Sequence, residues 1–404
     1  MATSKVLVDQ LDRYLNRDFL LDSLVTLLKV PTHVPLGDTL IEPDDPKLVH
    51  YVQEVIQPLI ERLRYQDIIV DELNNLILRY GDNESGRSLL MMAYTPAQHA
   101  NLMEEPFSGK VANAKAFGHD ELCAFGQGAS QNKGALAAML GALKLIKGME
   151  VKLKGQLIFV INNEGRSSHA CSEYVLDGQD IQAHGGILCI GTENRIALGN
   201  RGRVDVNIKV VGKSCHSSQP WRGLNAIEGA YEILSRLKSL SWENEHPRLG
   251  RSQLTVYQAI FSPIAPHTLP EVGKLTLDRR LLPGEDPDHA VAEIIEAIGD
   301  LRPFQIEIQK GVQMYPAEVS EEAEVVQALQ EAFTAIRGEP SETYYPQWTF
   351  DAGYPCYKGI PTVMMGPSAV DPAGANLMST DFVPISHVEE AAKIYAYTII
   401  RMLS

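Results

Sequence analysis

Apolar positions from Val6 to Val30 recur at helical spacing, with Val6, Leu11, Leu15, Leu20, Leu24, Leu27 and Leu28 on one stripe. Leu48 to Leu63 repeats the pattern, so the chain is expected to open with two amphipathic helices. Short apolar runs closed by turn residues follow at Ile68–Val70, Leu76–Tyr80, Leu89–Tyr94, Leu157–Ile161 and Gly186–Ile190, and these read as strands. Helical stretches separate the later runs, the clearest being Asn132 to Lys147 with Leu136, Met139, Leu140 and Leu143 on one face. Strands alternating with helices predict an α/β domain built on a mainly parallel sheet covered by helices.

The pattern changes register at Gly199 to Gly202. A strand over Val204–Val211, a helix over Asn225–Leu240, strands over Leu254–Phe261 and Lys274–Leu282, a helix over Asp288–Leu301 and a strand over Gln305–Gln309 then follow. That order, βαββαβ, is the split pattern of a ferredoxin-like α+β unit. A helix over Glu321–Ile336, a strand over Thr362–Met365 and a helix over Val388–Met402 read as a return to the first domain. The expected organisation is a discontinuous α/β domain over 1–200 and 312–404, with a second domain inserted over 201–311.

With 404 residues and 45% hydrophobic content, the chain can bury a large core in two or three domains. Its formal net charge of -15 argues against nucleic acid and anionic membranes, which need clustered Lys and Arg. The five cysteines are scattered and never form a CxxC pair, so neither a disulfide framework nor a cysteine metal site is indicated. Cys171 and Cys215 read as small packed residues, since no base partner accompanies either. No signal-peptide pattern and no apolar run of membrane-spanning length occurs, and a cytoplasmic location is the expectation.

The segment from Phe107 to Gly148 contains PFSGK and GQGASQNKGALAAML. It resembles the stretch PFxGx followed by GRGAxDxKGGxAxxL of the zinc-dependent amidohydrolase and exopeptidase family that includes acetylornithine deacetylase, succinyl-diaminopimelate desuccinylase and carboxypeptidase G. The resemblance continues through FVINNEGRSS, NRGRVDVNIKVVGKSCHSSQPWRGLNAIEGA, LDRRLLPGED and WTFDAGYPCYKGIPTVMMGP. It implies a zinc-exopeptidase-like α/β domain with an inserted dimerisation domain.

The resemblance further implies two zinc ions held by a His, a bridging Asp, a Glu, a second acidic residue and a C-terminal His, with an adjacent Glu as general base. Two divalent ions need several anionic and imidazole donors, and their shared water needs a free carboxylate to deprotonate it. Here most of those positions carry other residues. Ala93, Tyr94, Thr95 and Pro96 stand where the first ligand turn belongs, and Gln131 occupies the bridging position. Asn163 replaces the general base, and an amide cannot take up the water proton. Glu164 keeps the metal-ligand position, and Glu193 matches the next acidic ligand, with Thr192 as the rival alignment. After Gly366-Pro367 the sequence SAVDPAGANLMSTDF contains no His; Asn376 or Leu377 stands nearest the expected place, in a stretch ending at Asp381, and His387 lies too far along.

The inserted domain keeps more of the resemblance. His216, in SCHSS, matches the His that family members extend across a dimer interface to polarise the substrate carbonyl. Arg280 or Arg279, and Asn225, match residues near the substrate carboxylate, for which an arginine fork is geometrically suited. Glu193 and Glu164 are the candidate ligands if a single divalent metal is held, and the family's two zinc ions are not expected. A shifted metal site drawing on His99 or the run His119, Asp120, Glu121 is the alternative to reading those groups, with His169, His184 and His267, as ordinary structural residues.

Three functions follow from these expectations. The first is hydrolysis of a C–N bond in a small carboxylate-bearing N-acyl or carbamoyl amino compound or peptide, at an altered site where His216 and Glu164 are the catalytic candidates. Arg280, Asn225, Tyr94, Asn163, Gln131 and Asn376 would bind substrate. The second is a non-catalytic binding protein for such a ligand. The third is a partner subunit whose His216 completes the site of an intact paralogue. A homodimer is expected for the first two and a heterodimer for the third.

Overall fold

Asn16 interrupts the leading apolar stripe: its side-chain oxygen accepts the Phe19 N–H at 2.8 Å, so the expected first helix is two, Ala2–Tyr14 and Arg17–Leu28. A short polar side chain that satisfies a free backbone donor starts a new helix more readily than it continues an old one. The computed structural model describes the whole chain except positions 1, 36–40, 98–102, 164–167, 243 and 370–379. The chain divides into two compact units, one formed by Met1–Gly199, Glu318–Tyr345 and Tyr354–Ser404, the other by Asn200–Ala317 and Pro346–Gly353.

In the first unit the strands Gln156–Asn162, Ser88–Tyr94, Gly185–Cys189 and Thr362–Met365 lie side by side and run parallel. Antiparallel strands Leu76–Tyr80 and Ile68–Val70 extend one flank, and Ile196–Ala197 with Thr343–Tyr344 extend the other, so the sheet is mixed with a parallel centre. The helix Gly134–Gly148 packs against Ile385–Leu403 and Arg17–Leu28. It is apolar all round, and every residue from Gly134 to Leu143 is buried; at about 1.5–3 kcal/mol for each large side chain taken out of water, such burial is a main contribution to the stability of this unit. A separate sheet of Lys110–Ala114, His119–Phe125 and Phe382–Pro384 was not legible in the periodicity, because apolar Val111 and Leu122 stand on its exposed side and break the alternation.

The second unit is a four-stranded antiparallel sheet in the order Gln253–Ser262, Val272–Leu281, Gly202–Val211, Gln305–Met314. Strict alternation puts Val204, Val206, Ile208 and Val210 inward, where they meet Leu275, Leu277 and helices Ala226–Leu237 and Pro287–Ile298. The opposite face is polar, with Arg203 and Asp205 directly across from Arg280 and Asp278. The stretch Pro346–Gly353, distant in sequence, belongs to this unit. Among the described residues no helix is long and apolar enough to cross a membrane.

Candidate functional site

Four adjacent parallel strands in the first unit end on the same edge, and in open α/β sheets that edge is where ligands bind. The strand ends bring together Tyr94 and Thr95, Asn162 and Asn163, the turn Gly191–Glu193, and Gly366–Ser368. A widened π turn at Ala129–Lys133 lies against them. Gly128 opens that turn with φ +87°, and Gly191 passes so close that a Cβ would stand 1.8 Å from the Ser130 carbonyl oxygen. The Gln131 carbonyl accepts the Gly191 N–H at 3.0 Å.

At this edge the side chains bind one another. Asn163 is fully buried: its Oδ1 accepts the Thr95 hydroxyl at 2.5 Å, and its Nδ2 donates to the carbonyls of Pro43 at 2.9 Å and Leu73 at 3.3 Å. Its backbone N–H donates to Asn75 Oδ1 at 2.7 Å. Asn132, beside the bridging position, donates to the carbonyls of Tyr94 at 2.8 Å, Pro96 at 2.9 Å and Thr95 at 3.2 Å. Glu193 is on the surface, its carboxylate 3.3 Å from Arg195 and its backbone N–H on Ser368 Oγ at 2.8 Å. Glu164 and Asn376, with His99 and Leu377, lie outside the described residues.

Among the described residues the donor chemistry does not fit two zinc ions. Tyr94, Gln131 and Asn163 offer a phenol and two neutral amides, and the Asn163 amide is already committed to protein partners. Among the described residues no three His, Cys, Asp or Glu side chains converge to hold a metal. The shifted-site residues are dispersed in their bonding: His119 donates to the Ala369 carbonyl at 3.2 Å, Asp120 accepts from Asn113 at 3.1 Å, and Glu121 accepts from Ser386.

A buried ionisable pair flanks the π turn. Lys133 is fully buried, donates to the Val30 carbonyl at 2.7 Å, and lies over the Tyr51 and Phe107 rings at 5.6 and 5.9 Å. Burial pulls its pKa down to about 7, against the opposing pull of Asp381. Asp381 accepts the N–H groups of Gly128 at 2.7 Å and Ser130 at 2.8 Å, and burial pushes it up to about 7 although those bonds and Lys133 favour its charge.

The second unit presents its polar groups differently. His216 is exposed, and its Nδ1 accepts the Ser218 N–H at 3.2 Å, which leaves the neutral-ring proton on Nε2. His267 stacks on it with ring centres 6.0 Å apart. Asn225 is a helix cap: its Oδ1 accepts the Ile227 N–H at 3.1 Å. A polar residue just before an amphipathic run is the signal that could have assigned that role.

Arginines line the polar face and its edge. Arg280 pairs with Asp278 at 2.8 Å and donates to Thr349 Oγ1 at 3.0 Å. Arg279 is buried against Glu285 at 3.2 Å, with Glu293 at 3.7 Å and the Trp242 ring at 4.1 Å, so it is packed into the unit. Arg203 lies 3.3 Å from Asp205. Arg201, which the sequence did not single out, is only 3% exposed; its Nη2 donates to the Leu249 carbonyl, and its Nε and Nη1 have no acceptor. Burial, helped by the Arg280 charge, pulls its pKa below the ordinary value. Elsewhere on this unit Ile227 and Tyr231 of one helix and Tyr257 and Ile260 of the edge strand are exposed.

Residues 198–303 match the family model described as peptidase dimerisation domain. The inserted unit is a peptidase dimerisation domain. Over 379 residues the chain is 26% identical to the uncharacterized protein YgeY of Escherichia coli (strain K12), covering 87% of this chain and 89% of that protein. It is 22% identical over 335 residues to the acetylornithine deacetylase of Yersinia pestis, covering 79% and 81%. The solved structure of an M20 family metallo-carboxypeptidase from Sulfolobus solfataricus superposes with a TM-score of 0.74 at 18% identity, covering 95% of this chain and 98% of that one. A chain that carries a peptidase dimerisation domain and shares the fold of M20 peptidases over nearly its whole length is a relative of these amide-bond hydrolases.

Proposed function

We propose that this protein binds a small carboxylate-bearing N-acyl or carbamoyl amino compound, or a short peptide, and has lost the two-zinc hydrolytic machinery of its relatives. One observation carries the reading: the amide of Asn163, where the resemblance calls for a general base, is buried and bonded to Thr95, Pro43 and Leu73. A group with its donors and acceptor already engaged neither activates water nor turns to a metal without breaking those bonds. Glu164 and Glu193 remain the candidate ligands for a single divalent ion, and His216 and Glu164 the candidate catalytic groups of an altered hydrolase. Metal analysis of the purified chain beside calorimetry with N-acetyl-L-alanine tests the reading. The expected result is less than one zinc per chain, with an isotherm that a chelator leaves unchanged. Two zinc ions per chain and chelator-sensitive hydrolysis of that compound would sink it.

A second reading has its own support in the dimerisation domain. The exposed residues Ile227, Tyr231, Tyr257 and Ile260 suit burial against another copy, and edge strands left open invite pairing. His216, with its Nε2–H free of the Ser218 bond, is suited to donate to a carbonyl in a neighbouring subunit. In a homodimer it would serve this chain's own ligand; in a heterodimer it would complete the site of an intact paralogue. Light scattering and recovery of native partners decide between them, and isolation of the self-dimer alone counts against the paralogue.

A further inference from the structure

We propose that Arg201, rather than Arg280, is the group that receives the ligand's carboxylate, an assignment that rests on the carboxylate-binding reading above and names the residue responsible. Three arginines of the dimerisation domain's sheet are matched with acids. Arg203 has Asp205, Arg280 has Asp278, and Arg279 has Glu285 with the partly exposed Glu293 behind it. Among the described residues no carboxylate pairs with Arg201. Glu285 is close enough for its charge to act on Arg201, yet its oxygens are held by Arg279, by Ser252 Oγ at 2.7 and 2.9 Å, and by the Leu282 N–H at 2.8 Å.

Arg201 is therefore a buried cation whose only acceptor among the described residues is the Leu249 carbonyl. A guanidinium keeps its charge at any working pH, so it cannot relieve this state by losing a proton as a lysine would. An anion in contact with Nε and Nη1 supplies both the missing charge and the missing acceptors. Arg280, the residue the sequence points to, is already neutralised by Asp278 and tied to Thr349. The stretch that carries Thr349 adds a further donor: the Trp348 Nε1–H is buried and has no acceptor.

The class of anion follows from the surroundings. Alternation puts Arg203 and Asp205 on one side of the strand that Arg201 precedes, with Asp278 directly across from Asp205. Asp205 and Asp278 lie directly opposite one another, each beside an arginine, so negative charge is already concentrated on this face and a dianion is disfavoured. A monocarboxylate matches a single unpaired guanidinium, with inorganic phosphate as the competitor that shares its oxygen chemistry.

The test uses the full chain and titration calorimetry with N-acetyl-L-alanine, N-acetyl-L-alaninamide and inorganic phosphate. The wild type is expected to bind the acid and discriminate against the amide. Arg201→Gln is expected to weaken the acid by about 10- to 100-fold and bring the acid-to-amide ratio close to one. Arg201→Lys recovers part of that loss, and it also serves if the Gln variant does not fold. Trp348→Phe costs about threefold, and Lys274→Gln, which removes an exposed cation on the neighbouring strand, stays within about twofold. An unchanged acid-to-amide ratio in Arg201→Gln overturns the assignment and leaves the proposed function standing. Phosphate binding that depends on Arg201, with neither N-acetyl compound bound, keeps the anion site and overturns the proposed function. Binding of none of the three probes overturns both.

Discussion

The strand-end edge of the first unit and the polar face of the dimerisation domain treat their polar side chains in opposite ways. At the strand ends, Asn163 and Asn132 bond to Thr95, Pro43, Leu73 and the carbonyls of Tyr94 to Pro96, so these amides are engaged with protein. On the dimerisation domain, His216 and Arg201 keep donors with no acceptor among the described residues. The lesson is physical: a buried polar group left without a partner is costly, so a network closed within the protein is stable as it stands, while an unpaired buried donor calls for a partner.

The sharpest way to break this comparison is to remove the closure. Asn163→Ala should lower unfolding stability by about 3 kcal/mol, because it strands several buried partners at once, and urea denaturation reads it. A loss below about 1 kcal/mol would mean the position is free to serve a ligand. Next in size is the pH response of the neighbouring pair. Asp381 binds its proton more tightly folded than unfolded, so its contribution to stability falls as pH rises from about 4 to about 7. Lys133 binds its proton less tightly folded, so its contribution rises from about pH 7 to the ordinary lysine range. Asp381→Asn should therefore flatten the fall on the acid side by on the order of 1–2 kcal/mol, and an unchanged pH profile of the urea midpoint would show that the pair is not buried as described.

Smaller effects probe the other region. Joint replacement of Tyr231 and Tyr257 by lysine should weaken self-association by about tenfold or more in light scattering while each chain stays folded, and an unaltered dimer would place the interface elsewhere. His216→Ala should change stability by no more than about 0.5 kcal/mol, since the ring is exposed and bonded only to its own loop. A large destabilisation there would make His216 a packing residue and remove its retained donor from the comparison.

Much of the fold was legible along the chain. The strands Leu76–Tyr80 and Thr362–Met365 fall on the short apolar runs expected as strands, and the βαββαβ order of the inserted domain is present element by element. Residue type alone states that Gln131 and Asn163 are amides, and on that the expectation of missing ligands was built. What those amides do instead was not legible. Asn163 meets Pro43 and Thr95, and Asp381 meets Gly128, across separations that no local window spans. Asn225, expected beside a carboxylate, caps a helix, and Arg279, the alternative to Arg280, is packed against Trp242.

By itself the sequence determined which chemistry is available: an acidic chain without clustered cations, a strand-end motif stripped of imidazole and bridging carboxylate, and a dimerisation domain that keeps His216 and its arginines. Only the tertiary structure decided which polar groups are already satisfied and which are not. Arg201 and Arg280 are the same residue type on the same unit, yet Asp278 neutralises one and no described carboxylate pairs with the other. Satisfaction is a property of partners within about 3 Å, and partners at that distance are brought together by folding, whatever their separation along the chain.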